Sequence, residues 1–144
     1  HNDRKSHSGY AIFIDNCSAS ILTKSYKQKC LADSTMAAEL ISLYDAARYA
    51  IFIRKLLVEI GVEANPIIIH EDNKAVIDVL KSENIMKGNA KFIDRKYLTL
   101  REFITSGEIR LEYINTKDQV ADALTKAITG ENFVKFKNRI LGRM

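Results

Sequence analysis

Followed along its apolar and polar positions, the chain changes period several times, and each change marks an element. Residues 8–15, SGYAIFID, are rich in aromatic and β-branched side chains and run into the turn-forming DNCS, which predicts a strand. Residues 18–33, SASILTKSYKQKCLAD, read as a pair of short strands and make the start antiparallel. From Ser34 the period becomes helical. Leu40, Leu43, Tyr44, Ala47 and Ile51 share one face, and Ile53, Leu56, Leu57 and Ile60 continue on a displaced one. Gly61 follows as a C-cap, so one long helix or two abutting helices are predicted over about 34–60.

The Ile67–Ile69 run is apolar on both faces, which points to a covered, central strand. A short helix is predicted from Asn73 to about Lys81, and SENIMKGN after it is a loop. In residues 90–107, Phe92, Ile93, Tyr97, Leu100 and Ile104 recur at helical spacing up to Gly107. EIRLEYIN, residues 108–115, sets Ile109, Leu111 and Tyr113 against Arg110, Glu112 and Ile114, a half-buried strand. TKDQVADALTKAI opens with Thr116 and Gln119 in capping-box spacing, which predicts a further helix. A last amphipathic segment, 131–141, presents Phe133, Phe136 and Ile140. The order β-β-β-α-β-α-α-β-α-α predicts an α/β fold, a mixed sheet with helices packed on it.

Composition narrows the picture. A chain of 144 residues, 47% hydrophobic and 28% charged, suits one globular domain with a real core. No apolar run approaches the roughly 18 residues of a membrane span, and no secretory leader pattern is present. Cys17 and Cys30 make neither a disulfide framework nor a zinc cluster and read as reduced thiols of an intracellular protein. The first residue is His1 rather than Met, so a piece cut from something longer is expected. The formal net charge is +4, and Lys126, Lys135, Lys137, Arg139 and Arg143, set against Glu131, carry that whole excess. Lys24, Lys27 and Lys29 form a second basic run, and Lys91, Arg95, Lys96 and Arg101 a third. Such runs suit an anionic partner such as nucleic acid, although a run of charge can also be a solvated face.

Three acidic residues stand where a sheet-and-helix domain could bring them together. Glu39, in DSTMAAEL, lies early in the long helix among Ala37, Ala38 and Leu40. Asp72 ends the central strand in IIIHEDN, and Asp122 lies in QVADAL between Val120, Ala121, Ala123 and Leu124. A charge among apolar neighbours costs several kcal/mol, on the order of a lost ion solvation, unless something pairs with it. A divalent cation with hard oxygen ligands such as Mg²⁺ is one such partner. Each residue also has a plainer reading: Glu39 as an exposed helix position, Asp72 as a cap, Asp122 as a helix-start charge favoured by the dipole.

Taken in order, RKSHSGYAIFI, LADSTMAAELISLYDAARYAIFIRKLL, IIIHEDNKAVIDVL and KFIDRKYLTLREFITSGEIRLEYINTKDQVADALTKAI resemble the ribonuclease H domain of copia-type LTR retrotransposon polyproteins. The resemblance covers nearly the whole chain. It implies a ribonuclease H-like fold and hydrolysis of the RNA strand of an RNA–DNA hybrid during reverse transcription, inside the cell. It implies as partner the reverse transcriptase domain of the same polyprotein. It also implies four carboxylates holding two Mg²⁺ ions (Mn²⁺ as a substitute) about 3.5–4 Å apart, one ion activating water and the other stabilising the leaving oxygen. By motif, Glu39, Asp72 and Asp122 take three of those ligand positions, and Lys24, Lys27, Lys29, Lys135, Lys137 and Arg139 are expected to meet the hybrid.

The departures from the family pattern also matter. The family's first metal Asp lies on a strand several residues before the RKS-x-SGY block, and here only His1, Asn2 and Asp3 precede Arg4. Asp3 is too close to the block for that role. Phe92 stands where the family tends to have His, and Ala37 where an additional Glu is common. An enzyme with an incomplete metal site is therefore expected, cleaving hybrids barely or not at all. The rival reading is a catalytically silent nucleic-acid-binding module, and a third is a scaffold or oligomerisation domain left with an open sheet edge.

Overall fold

The first period-two stretch folds as β1 (His7–Ile12), which pairs antiparallel with β2 (Leu22–Lys27), His7 opposite Lys27 and Ile12 opposite Leu22. The computed structural model describes residues 5–16, 18–29, 34–63, 65–82 and 91–143. Cys17, Cys30 and most of the predicted SENIMKGN loop lie outside them. Two strands, rather than the expected three, precede the first helix among the described residues.

Helix α1 (Thr35–Glu59) is a single 25-residue element, within two residues of its predicted limits. The Ser34 hydroxyl accepts from the Ala37 N–H at 3.1 Å, an N-cap geometry that satisfies one of the orphan donors of the first turn. At the other end Gly61, at φ 83°, turns the chain left-handed, and the Val62 N–H reaches back to the Leu57 carbonyl at 2.9 Å. Then come β3 (Ile67–Glu71), α2 (Lys74–Lys81), α3 (Lys91–Thr105) and β4 (Ile109–Tyr113), with β3 and β4 parallel and Ile67 opposite Ile109. Two short 3-10 helices, Thr116–Asp118 and Val120–Leu124, lead to α4 (Gly130–Leu141).

The molecule is thus of mixed α/β class, with four α-helices among the described residues, and the parallel and antiparallel pairings of the expected mixed sheet are both present. Among the described residues they form two separate two-stranded sheets. β3 accordingly pairs with β4 alone, and the expectation of a strand covered on both faces is not met. Ile67 and Ile69 are half-buried, whereas Ile68 is 50% exposed on the face it shares with His70.

The contacts gather into two compact units, His1–Ala38 with Asn115–Met144, and Glu39–Ile114. The second is organised around Leu40, Leu43, Ala47 and Ile51 of α1, Val76 and Leu80 of α2, Tyr97 and Leu100 of α3, and Ile109 and Leu111 of β4, all buried. Lys96 is buried too, and it is compensated. Its ammonium lies 3.4 Å from Asp45 and 4.1 Å from the centre of the Tyr44 ring. Tyr97 donates its hydroxyl to the Val79 carbonyl at 3.2 Å, so α3 is fixed to α2.

In the first unit the second 3-10 helix lies directly against β1. A Cβ on Gly9 would meet Leu124 Cβ at 2.8 Å and Thr125 Cγ2 at 2.7 Å, which explains the glycine of SGY. Gln28, 2% exposed, donates to Ser8 Oγ and to the Ala38 carbonyl, both at 2.7 Å, and so joins the hairpin to the first turn of α1. The C-terminal end of α4 is tied to the hairpin loop by the Ser20 N–H, which donates to the Ile140 carbonyl at 3.0 Å. Gly142, at φ 64°, closes the helix there.

Three details of the periodic pattern did not survive folding. The helix expected from Thr116 is instead the pair of 3-10 turns, because Asn115 Oδ1 caps the Lys117 N–H and Gln119 Oε1 caps the Ala121 N–H. Each side chain starts a short turn of its own, and neither extends the other. Tyr113 is 49% exposed and carries Lys74 over its ring at 4.6 Å, so it does not join Ile109 and Leu111 in the core. On α4 only Phe136 is buried; Phe133 is 48% exposed.

Candidate functional site

The site grows out of the phase of β3. Ile67 and Ile69 face inward, so Glu71, two residues further, is carried in on the same face and is 9% exposed. The chain leaves the strand at Asp72 and enters α2 through Asn73, whose Oδ1 accepts from the Ala75 N–H at 3.0 Å. The Asn73 backbone N–H donates to Glu71 Oε1 at 3.0 Å. Its side-chain Nδ2 donates to Oε2 of Glu39, a half-buried residue in the second turn of α1. One asparagine therefore caps a helix and holds two acids.

Burial pushes the Glu71 carboxyl up to about 7 from its ordinary 4.5. The Asn73 N–H works against that rise, while the negative charges of Glu39 and then Asp72 add to it. Glu39 and Asp72 thus both lie near enough to Glu71 for their charges to act on it. Asp122 belongs to the other unit. There it sits in the second 3-10 helix with its side chain 16% exposed, and Lys126 donates to Oδ1 at 3.0 Å and to Oδ2 at 2.9 Å. Its charge is answered locally.

Among the described residues, no group of three or more His, Cys, Asp or Glu side chains is arranged to hold a metal ion. Glu39 and Asp72 carry hard oxygen donors of the kind a divalent cation takes, whereas Asp122, in the other unit, is engaged by Lys126. Glu71 and Asn73 are not among the residues that the sequence singles out. For Glu71 the signal is the strand's own alternation, which puts it in phase with Ile67 and Ile69. For Asn73 it is the N-cap position before Lys74.

The basic residues fall into different situations. On β2 the period of two puts Lys24 on the half-buried face with Tyr26, 4.9 Å above its ring, while Lys27 is exposed on the opposite face. Lys29, just past the strand, is exposed. On α4, Lys135 pairs with Asp118 at 2.5 Å, and Lys137 is exposed with its ammonium 5.8 Å from the Phe133 ring centre. Arg139 serves the fold: it donates to the Ser18 carbonyl at 2.7 Å and the Asp15 carbonyl at 3.4 Å, and stacks 3.8 Å from the Phe13 ring centre. No described helix is long and apolar enough to cross a membrane.

With this geometry in hand, the chain proves similar to Pol polyproteins of transposons. It is 29% identical over 132 residues to the retrovirus-related Pol polyprotein from transposon TNT 1-94 of Nicotiana tabacum, covering 92% of this chain and 10% of that protein. It is 29% identical over 140 residues to the retrovirus-related Pol polyprotein from transposon RE2 of Arabidopsis thaliana, 96% of this chain and 9% of the relative. The transposon Ty1-NL2 Gag-Pol polyprotein of Saccharomyces cerevisiae is 28% identical over 118 residues, 81% of this chain and 7% of the relative. The chain thus spans a tenth or less of the length of these relatives. No family model matches the sequence, and no solved structure matches it significantly.

Proposed function

We propose that the chain is the ribonuclease H-like segment of a transposon Pol polyprotein and acts on the RNA strand of RNA–DNA hybrids. The observation that carries this reading is the acidic end of β3, where Asn73 joins Glu39 to the buried Glu71 next to Asp72. It is supported by the similarity to Pol polyproteins over most of the chain and by the mixed α/β element order. Glu39 and Asp72 would hold Mg²⁺ or Mn²⁺. Bound there, the cation supplies Lewis-acid polarisation of the scissile phosphate and a more acidic water. The protein's own part is to hold the carboxylates at the strand end and to offer exposed Lys27, Lys29 and Lys137 to the phosphate backbone. The reverse transcriptase segment of the same polyprotein is the partner this reading entails.

The test is a hybrid labelled on its RNA strand, incubated with the 144-residue chain in Mg²⁺ or Mn²⁺. Slow metal-dependent shortening of the RNA strand alone, lost in Asp72→Asn and Glu39→Gln, is expected. Cleavage that persists unchanged in both variants overturns the assignment. A second reading, a silent hybrid-binding module, is favoured by the two-oxygen hold of Lys126 on Asp122. Salt-sensitive hybrid binding without any metal-dependent cleavage, in the Lys126→Ala variant too, would select it.

A further inference from the structure

We infer that the outward face of α1 is a self-association surface, on which a second copy of this chain packs antiparallel across Tyr49, Phe52, Leu56 and Ile60. The cue lies in the spacing. Along α1 the buried Leu40, Leu43, Ala47 and Ile51 recur at intervals of three, four and four. Tyr49, Phe52, Leu56 and Ile60 repeat those intervals nine residues later. At about 100° per residue, nine residues make about two and a half turns, so the second set lies on the opposite face. Helical geometry reaches its last member, because the Ile60 N–H donates to the Leu56 carbonyl at 3.1 Å. All four are exposed, Phe52 by 58% and Ile60 by 75%. A helix that is apolar on one face needs one neighbour, and α1, apolar on two, needs a second. Its exposed stripe is about 16 Å long and carries two aromatic rings, as the centre of a protein contact does.

The charges beside the stripe indicate the neighbour. Arg48, Lys55 and Glu59 are exposed and fall on one flank of it, where Arg48 also lies 5.7 Å from the Tyr44 ring centre. Let a second α1 be turned end for end about a two-fold axis midway between Phe52 and Leu56. Phe52 then meets Leu56, Tyr49 meets Ile60 and Arg48 meets Glu59, each of them twice. Opposite charges line the rim of an apolar seam. A parallel arrangement would set Arg48 on Arg48 and Glu59 on Glu59. Lys55, near the midpoint, faces its own copy, a contact that its long stem relieves by carrying the ammonium out to water. A flank complementary to its own reverse is what a two-fold interface requires. A partner of unrelated sequence would give no reason for Arg48 and Glu59 to stand at mirrored positions.

The experiment is sedimentation velocity on the 144-residue chain over a dilution series. A dimer that dissociates on dilution is expected. Phe52→Glu should weaken it about thirtyfold or more, the usual effect of losing a central aromatic anchor, and should leave the far-ultraviolet circular dichroism unchanged because Phe52 is exposed. Arg48→Glu and Glu59→Arg should each weaken it about tenfold. An equimolar mixture of those two variants should restore association, because each new charge then faces its opposite on the other chain. A chain that stays monomeric up to its solubility limit overturns the inference, and so does a dimer that Phe52→Glu leaves intact. Charge variants that fail to restore one another overturn the antiparallel seam. Should Phe52→Glu lose its helical signal, the mixing experiment decides alone.

Discussion

Two carboxylate environments in this chain have the same sequence flavour and opposite electrostatics. At the end of β3, burial pushes the Glu71 carboxyl up to about 7, and the charges of Glu39 and Asp72 add to the rise. In the second 3-10 helix, Asp122 is also set among small apolar neighbours, yet Lys126 answers it with two hydrogen bonds. An acid among apolar residues is therefore not by itself a sign of a binding site: burial and neighbouring acids raise Glu71, whereas Lys126 lies directly against Asp122.

The comparison can be broken most forcefully through pH. Glu71 has a folded-state pKa above its ordinary 4.5, so below that value the proton is on in both folded and unfolded chains and costs nothing. Between pH 4.5 and about 7 the unfolded chain gives up its proton while the folded one keeps it, and stability falls as pH rises. Above 7 the whole cost remains, about 3 kcal/mol when each tenfold change in proton affinity counts for roughly 1.4 kcal/mol. Without divalent cations, Glu71→Gln should therefore be more stable than the unmodified chain at pH 8 and nearly equal to it at pH 4.5. Urea unfolding at the two pH values checks this.

Cation binding should act next, and on one region only. At a concentration near a hundred times the dissociation constant, Mg²⁺ or Mn²⁺ should stabilise the chain by about 2.7 kcal/mol at pH 8. Glu39→Gln should abolish that gain. Thermal melts with and without the metal decide it.

A smaller effect probes the first unit alone. Gly9→Ala puts a methyl against Leu124 and Thr125 and should cost about 1–3 kcal/mol by overpacking. Hydrogen exchange should quicken in β1, β2 and the second 3-10 helix, while cation binding by Glu39 and Asp72 is retained. Breaking the exposed Asp122–Lys126 pair is smaller still, about 0–1 kcal/mol by denaturant unfolding of Lys126→Ala.

The smallest effects concern phosphate contacts. Lys29→Gln and Lys137→Gln should each lower the log–log salt slope of hybrid binding by about one unit. Arg139→Gln should leave the slope alone and lower the melting temperature, because its guanidinium is committed to the Ser18 and Asp15 carbonyls.

What is legible in the sequence follows physical range. α1, α2, α3, β3 and β4 are written in local period, and Gly61 and Gly107, both with positive φ, end their helices where the sequence puts them. The turns from Thr116 are not legible, because two short-range caps, at Asn115 and Gln119, compete with helix continuation over single residues. At the site, Glu39 stands out as a charge in apolar company, and Asp72 as the acid placed where the apolar strand ends and the next helix begins. Glu71 does not, because a run of polar residues hides which one the strand turns inward. The roles of Lys126 and Arg139 are hidden for the opposite reason: a side chain's partner depends on geometry that charge counting does not contain.

We propose that the end of β3, with Glu39, is where this chain binds a divalent cation. Paramagnetic broadening by sub-stoichiometric Mn²⁺ in a nitrogen-15 spectrum is the decisive measurement. The backbone amides of Glu39, Glu71, Asp72 and Asn73 should broaden first, and Asp72→Asn should remove the effect. Broadening that begins instead around other acids, or spreads evenly over the surface and ignores Asp72→Asn, would contradict it.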